Sequence, residues 1–332
     1  MKQKLSVAPT LKNYDKKNLP KDILAGIIIM AVSIPISMGY AQISGLPAVY
    51  GLYGSVFPII LFALFSTSPQ FIFGVDAAPA ALVGAAVLGM GIEAGSKEAM
   101  TVVPVFTFFV ALWLLAFYFM NAGKLVNYIS APVMGGFITG ICTTIILMQA
   151  PKLMGSAAGT GELFELSEHI WEALHHINAA ALVMGIVALA ILVVSKRLVP
   201  KFPMAVVLMV TGALFTYFGP VKEWGVPTLS AVEPGMPRWY IPDFAAVFSV
   251  QKASEVIVLS LSVAVVIMAE TLLAENNFAQ KNGYRIDDNT ELLAFSIGNM
   301  AAAFTGCCPI NGSVLRTAMS EQYEGKTQLT GL

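Results

Sequence analysis

The chain consists largely of apolar runs that are each about as long as a membrane is thick. A helix needs about 20 mostly apolar residues to cross the hydrocarbon core of a bilayer. Nine such runs and the start of a tenth are found, at about 22–42, 48–66, 71–91, 101–120, 127–149, 177–195, 203–219, 254–274, 290–306 and from 311. Only 12% of the 332 residues are charged, whereas soluble domains carry about 25%. The sequence therefore predicts an all-α integral membrane protein.

The positions of Lys and Arg predict how these spans are oriented. Residues 1–21 contain six lysines and no apolar run, so they resemble a cytoplasmic tail rather than a signal peptide. With this tail inside, the inner segments hold twelve Lys and Arg and the outer segments hold five. This excess favours a multi-pass protein of the cell membrane with a cytoplasmic N-terminus and a transmembrane domain over 22–332. The net charge of -1 argues against nucleic acid as a partner.

One outer segment, residues 161–176, has apolar side chains at helical spacing opposite three glutamates. The pattern predicts a short amphipathic helix on the outer membrane interface, with Trp171 at headgroup depth. All three histidines, His169, His175 and His176, lie in this segment. They could form a metal site, but a solvated loop explains them more simply.

Helix-breaking residues interrupt three of the spans. Span one carries Pro and Gly within residues 33–40, span three opens with residues 71–79, and the tenth segment opens with residues 304–313. In span three, the order Asp-Ala-Ala-Pro from Asp76 onwards is typical of an N-cap on a helix that starts late. Irregular backbone is tolerated at membrane depth only where it lines a cavity or is buried in protein. Two such segments about seven spans apart point to the site of an inverted-repeat transporter.

Two half-helices that start close together would bind an anion through their free backbone N–H groups and positive dipole ends. Arg316, one turn into the tenth helix, would add a positive charge, although a lone arginine near a helix end can also extend to the membrane interface. Its neighbours Asn311, Gly312 and Ser313 suit an exposed helix mouth. We therefore interpret Arg316 as part of an anion site.

Glu270 lies among Val, Ile, Met and Leu within span eight. An intramembrane carboxylate is costly and usually marks an ion path or a proton relay. The alternative is that the inner membrane face is close, with Glu275 already in water. The role of Asp76 stays open between helix capping and a substrate or counter-ion role. The sequence contains no catalytic triad, nucleotide-binding loop or metal motif, so neither an enzyme activity nor a cofactor is expected.

The landmark segments closely resemble the sulfate permease (SulP) family of anion transporters from about Leu19 to Leu332. The matching pieces occur in family order and spacing. They are Asp22-Ile-Leu-Ala-Gly26, Ile34-Pro-Ile-Ser-Met-Gly-Tyr-Ala41, Gly45-Leu-Pro47, Tyr50-Gly-Leu-Tyr53, Asn282-Gly-Tyr-Arg-Ile-Asp287, Glu291-Leu-Leu-Ala294, Gly298-Asn299, Arg316-Thr317 and Gly325-Lys-Thr-Gln-Leu329. Each piece is short, and the ordered set carries the resemblance.

The resemblance implies a fold of fourteen segments in two inverted repeats of seven, with half-helices in segments three and ten. It implies a core domain made of segments 1–4 (about 22–120) and 8–10 (about 254–332), and a gate domain made of segments 5–7 (about 127–219). The chain stops within segment ten. We therefore expect a truncated product that lacks the rest of the second repeat and the family's cytoplasmic STAS domain.

The resemblance also implies an anion site between the N-termini of segments three and ten. The implied substrate-binding residues are Tyr40, Asp76, Ala77, Ala78, Gly312, Ser313, Val314 and Arg316. Glu270 falls where related transporters place a carboxylate for the coupling cation.

By this resemblance the chain is expected to be a secondary active transporter of a small inorganic anion. Sulfate is the favoured substrate, with bicarbonate and small dicarboxylates as further candidates, and symport with H⁺ or Na⁺ is favoured because of Glu270. The alternatives are a nucleobase–proton symporter of the same fold, and an anion channel or voltage-responsive protein. A homodimer is one assembly that the resemblance leaves open.

Overall fold

The structure is a computed structural model that describes residues 7–12, 14–128, 131–157, 159, 163–199, 202–228, 235–237, 239–249 and 252–332. Within them, the helices and strands follow in the order α1 (Leu19–Ile43), α2 (Val49–Tyr53), α3 (Phe57–Phe65), β1 (Phe73–Gly74), α4 (Ala77–Gly89), α5 (Lys97–Phe119), α6 (Ala131–Leu153), α7 (Leu163–His175), α8 (Ala179–Leu198), α9 (Met204–Phe218), α10 (Phe244–Ser249), α11 (Ala253–Asn282), α12 (Asp288–Phe304), β2 (Asn311–Gly312) and α13 (Val314–Gln322). Short 3-10 turns lie at Lys16–Asn18, Ala122–Tyr128 and Gln328–Thr330.

The described helices lie where the apolar spans were predicted. By length and composition, four described helices can cross a membrane, namely Lys16–Ile43, Lys97–Phe119, Ala179–Leu198 and Ala253–Asn282. Shorter apolar helices lie at Val49–Phe65, Ala77–Gly89 and Met204–Phe218. The prediction of an all-α membrane protein with half-helices in segments three and ten is confirmed, because α4 and α13 each follow an extended stretch.

Two details of the prediction are wrong. Helix α1 runs unbroken through Pro35, because a single proline removes one hydrogen bond and the packed neighbours hold the remaining turns. On α2, a Cβ atom at Gly51 would lie 2.0 Å from the Ser37 carbonyl oxygen, so the two backbones are in direct contact. The second wrong detail concerns the span predicted at 48–66. It is divided into α2 and α3, and Pro58 stands in the first turn of α3.

The chain forms two compact units, residues 1–134 with 233–332, and residues 135–232. In the first unit, three stacked rings bind β1 to its supporting helices. The Phe73 ring centroid lies 4.3 Å from that of Phe62 on α3 and 5.5 Å from that of Phe295 on α12. All three rings are buried, and the Phe62 and Phe295 centroids lie 6.1 Å apart. The rings therefore form one apolar cluster that holds β1 against α3 and α12.

The second unit contains most of α6 and all of α7, α8 and α9. The predicted amphipathic helix is confirmed as α7, which buries Leu166 and Ala173 and exposes Phe164 and Trp171. Asn178 caps α8 by accepting a hydrogen bond from the Ala181 N–H at 3.0 Å. The division into core and gate domains stays a prediction.

Candidate functional site

A two-residue antiparallel ladder joins segments three and ten. Phe73 pairs with Gly312 and Gly74 pairs with Asn311. The Ser313 N–H extends the ladder by donating to the Ile72 carbonyl at 2.8 Å. Because α4 starts three residues after β1 and α13 starts two residues after β2, the ladder brings the two helix N-termini together.

Arg316 lies at the centre of this junction, and its side chain is only 1% exposed. Its Nη2 donates to the Val75 carbonyl at 2.7 Å, whereas its Nε and Nη1 have no hydrogen-bond partner. Each buried donor without a partner costs about 1–3 kcal/mol. A Cβ atom at Gly74 would lie 2.8 Å from Nη1, so this glycine makes room for the guanidinium.

Asp76 stands at the N-cap position of α4, as predicted, but its side chain makes no capping hydrogen bond. Its half-buried carboxylate interacts instead with the Arg316 guanidinium, the Ala77 N–H and the Ser313 hydroxyl. The half-buried Tyr40 of α1 lies close enough to interact electrostatically with both Asp76 and Arg316. The charge of Arg316 acts on Asp76, which favours a counter-ion role over a capping role, and that role stays a prediction.

Several backbone N–H groups at the two helix mouths lack an intrahelical acceptor, as in the first turn of any helix. In α4 these belong to Ala77 and Ala78, since Pro79 carries no N–H. In α13 they belong to Val314 and Leu315, while the Arg316 N–H points to the Ser313 hydroxyl at 3.5 Å. The side chains of Val314 and Leu315 are exposed. Asn311, Gly312 and Ser313 are buried, so the prediction of an exposed helix mouth is wrong at these three positions.

Glu270 of α11 is tied to the same junction by a chain of hydrogen bonds. Its Oε2 accepts from the Asn311 Nδ2 at 2.8 Å. The Asn311 Oδ1 accepts a hydrogen bond from the Thr271 hydroxyl, and that hydroxyl accepts from the Gly312 N–H at 3.2 Å. Glu270 is half-buried, whereas Asn311 and Thr271 are fully buried. Glu270 is therefore hydrogen-bonded directly to a residue of β2.

Of the predicted site residues, Tyr40, Asp76, Ser313 and Arg316 lie close together, and Glu270 is linked to β2 through Asn311. The others belong to the adjoining ends of β2, α4 and α13, namely Ala77, Ala78, Gly312 and Val314. The structure also adds three residues that sequence reasoning did not assign there, Val75, Thr271 and Asn299. The Asn299 side chain accepts from the Ile310 N–H at 2.9 Å and donates to the Ile310 carbonyl at 3.1 Å, which fixes the approach to β2. Two of these residues had a signal in the sequence. Asn299 is an asparagine inside an apolar helix, and Thr271 directly follows Glu270.

The alternative placement of Glu275 in water is wrong. Helix α11 continues to Asn282, and Glu275 is fully buried within it.

Among the described residues, no group of three His, Cys, Asp or Glu side chains is placed to hold a metal ion.

An all-α membrane domain with two interrupted segments meeting at their helix N-termini has the architecture of a secondary transporter. The sequence model of the sulfate permease family matches residues 19–332. The chain belongs to this family.

Its relatives include a "Probable sulfate transporter" of Mycobacterium tuberculosis, 26% identical over 321 residues that cover 97% of this chain and 56% of the relative. The human "Sulfate transporter" is 26% identical over 379 residues, covering 99% of this chain and 50% of the relative. The chain thus spans about half the length of these proteins.

Two solved structures share the fold. The murine anion transporter solute carrier 26 family member A9 superposes with a TM-score of 0.80 at 23% identity, covering 98% of this chain and 57% of that one. The transmembrane domain of the cyanobacterial bicarbonate transporter BicA superposes with a TM-score of 0.79 at 19% identity, covering 99% of this chain and 81% of that one.

Proposed function

We propose that the protein is a secondary active transporter of a small inorganic anion, with the anion bound between the N-termini of α4 and α13. One observation carries this proposal. The fully buried Arg316 has two nitrogen atoms without a hydrogen-bond partner, at the point where two helix N-termini meet. An anion arriving there would provide the missing acceptors and would lie in the positive field of both helices.

Sulfate is the favoured substrate, because the sequence relatives carry that name. Bicarbonate is the second candidate, since a bicarbonate transporter shares the fold, and small dicarboxylates are the third. Sulfate offers oxygen atoms in several directions, which suits a mouth whose donors come from α4, α13 and Arg316. The proposed location is the cell membrane, with the N-terminus in the cytoplasm.

Glu270 is proposed as the group that couples anion movement to H⁺ or Na⁺. Its carboxylate carries a negative charge in largely apolar surroundings, which is costly unless a cation neutralises it. Neutralisation would weaken its charge-assisted hydrogen bond with Asn311. Because Asn311 is part of β2, this change reaches the start of α13 and hence the anion.

The substrate and the coupling ion are tested by uptake into proteoliposomes. We expect accumulation of labelled sulfate when an inward H⁺ or Na⁺ gradient is imposed, and little accumulation without one. Labelled bicarbonate, oxalate and uracil serve as competing substrates. Uptake of uracil but not of sulfate would contradict the proposal, as would anion flux that neither saturates nor depends on a cation gradient.

The role of Glu270 is tested by Glu270→Gln, which mimics a permanently neutral side chain. We expect a folded protein that still binds sulfate and exchanges it across the membrane but no longer accumulates it along a cation gradient. Glu255→Gln is the matched control, since Glu255 lies on the same helix with an exposed side chain. Normal gradient-driven accumulation by Glu270→Gln would exclude Glu270 as the coupling group.

A further inference from the structure

Two further buried carboxylates, Glu275 and Glu291, lie where α11 approaches the first turn of α12. Glu275 follows Glu270 by five residues in sequence. Glu275 and Glu291 are both fully buried. Five residues of helix correspond to about 7.5 Å along the axis, so the pair lies apart from Glu270 and from the anion site. Nothing in the proposed transport mechanism uses it.

Glu291 is fully buried, but several donors converge on one of its two carboxyl oxygen atoms. Its Oε1 accepts hydrogen bonds from the Thr67 N–H, the Thr67 hydroxyl and the Ser68 N–H. It also belongs to the first turn of α12, where the helix dipole favours a negative charge. Three donors on one oxygen atom stabilise the charged form. The other oxygen atom of Glu291, Oε2, has no hydrogen-bond partner.

Glu275 has the opposite environment, since neither of its carboxyl oxygen atoms has a hydrogen-bond partner. The charges that act on it come from Glu291 and Asp288, both acidic and both on α12. Tyr284, in the turn between the helices, adds a phenol, and the neighbouring Arg285 is exposed. Lys124, the basic residue of the Ala122–Tyr128 turn that packs against α11, is exposed.

Lys281, a cation on α11, forms a salt bridge with Glu321 of α13 rather than with Glu275. Two neighbouring buried carboxylates cannot both stay ionised without a cation, since like charges repel strongly in a low dielectric. A single proton removes the conflict. It neutralises one carboxyl group and supplies an O–H donor where Glu275 and Glu291 both have unused acceptors.

We propose that Glu275 and Glu291 form a proton-binding site at the junction of α11 and α12, with the proton held on Glu275 and Glu291 ionised beside it. The ligand is one H⁺, taken up without any change in covalent structure. The site is independent of the proposed coupling role of Glu270. Releasing the proton would leave two buried negative charges that repel each other on neighbouring helices.

Infrared spectroscopy of the purified protein at neutral pH tests this directly, because a protonated carboxyl group has its own carbonyl stretching band. We expect Glu275→Gln to lose one such band, while Glu98→Gln, whose exposed carboxylate pairs with Lys252, keeps it. Glu270→Gln identifies any band that comes from the coupling site. An unchanged spectrum for folded Glu275→Gln would overturn the proposal, whatever the result for Glu270.

Thermal stability provides a second measurement. A native state that holds an extra proton loses stability as pH rises through the range in which that proton leaves. The midpoint of unfolding should therefore fall with rising pH in the wild type and fall less in Glu275→Gln. If Glu275→Gln does not fold, Glu275→Met, a neutral residue of similar size, replaces it in both experiments. Failure of both neutral variants to fold would mean that a charged Glu275 is required and would overturn the proposal.

Discussion

Replacing Arg316 by alanine should weaken anion binding strongly. The change removes a fully buried positive charge and two nitrogen donors that have no partner in the protein. A hydrogen bond to a charged group contributes about 1.5–3 kcal/mol, which corresponds to about a ten- to hundredfold change in affinity. We therefore expect the half-saturation concentration for sulfate to rise by about that factor, measured as initial uptake rate against sulfate concentration in proteoliposomes.

The same change also removes the 2.7 Å hydrogen bond to the Val75 carbonyl and the positive charge that acts on Asp76. Folding must therefore be checked by gel filtration and by the midpoint of thermal unfolding in detergent. Arg316→Lys keeps the charge but loses the planar fork of donors, and it should fall between the wild type and Arg316→Ala. Leu315→Ala is the control, because Leu315 is adjacent and 59% exposed.

The reasoning is refuted if folded Arg316→Ala binds sulfate with the affinity of the wild type. Arg316 would then serve only to join segments three and ten through Val75. A large loss of affinity in Leu315→Ala would also count against it, because the effect would then follow from disturbance of α13 in general.

Three further outcomes follow from the contacts. Asp76→Asn should fold normally and lower the half-saturation concentration for sulfate, since it removes a negative charge that competes with the anion; a raised value would contradict this. Asn299→Leu should lower the free energy of unfolding by about 1–3 kcal/mol for each backbone group of Ile310 that loses its partner. An unchanged midpoint of unfolding would show that the Asn299–Ile310 hydrogen bonds are dispensable. Gly51→Ala should destabilise the protein, because the added Cβ atom would lie 2.0 Å from a carbonyl oxygen of α1, while Gly89→Ala, with open space around it, should not.

The sequence was sufficient to predict the parts of the fold that depend on local patterns. Apolar runs of membrane length located the spans, and the Pro- and Gly-containing stretches at 71–79 and 304–313 located both half-helices. The composition around residues 311–313 also pointed to Arg316, and the apolar surroundings within span eight pointed to Glu270. Each of these signals lies within about 20 consecutive residues, the range over which hydropathy and helix-start patterns are informative.

Features that depend on distant pairs could not be predicted in this way. The bridge from Glu270 through Asn311 requires knowing that β2 passes α11. The burial of Glu275 requires the packing of α12 against α11, because a glutamate near a helix end is usually solvated. The continuity of α1 through Pro35 depends on its packing against α2. In each case, tertiary contacts overrode the local preference.

The ladder between β1 and β2 also constrains how the protein can be made. Val75 and Arg316 are 241 residues apart in sequence, so β1 is synthesised long before its partner. At a typical rate of about 5–20 residues per second, that delay is roughly 10–50 seconds. Throughout this interval the backbone groups of Phe73 and Gly74 lack the strand that satisfies them, at a depth where unsatisfied groups are costly. Insertion of the early helices must therefore be followed by a late ordering step in which β2 docks and the two helix mouths meet for the first time.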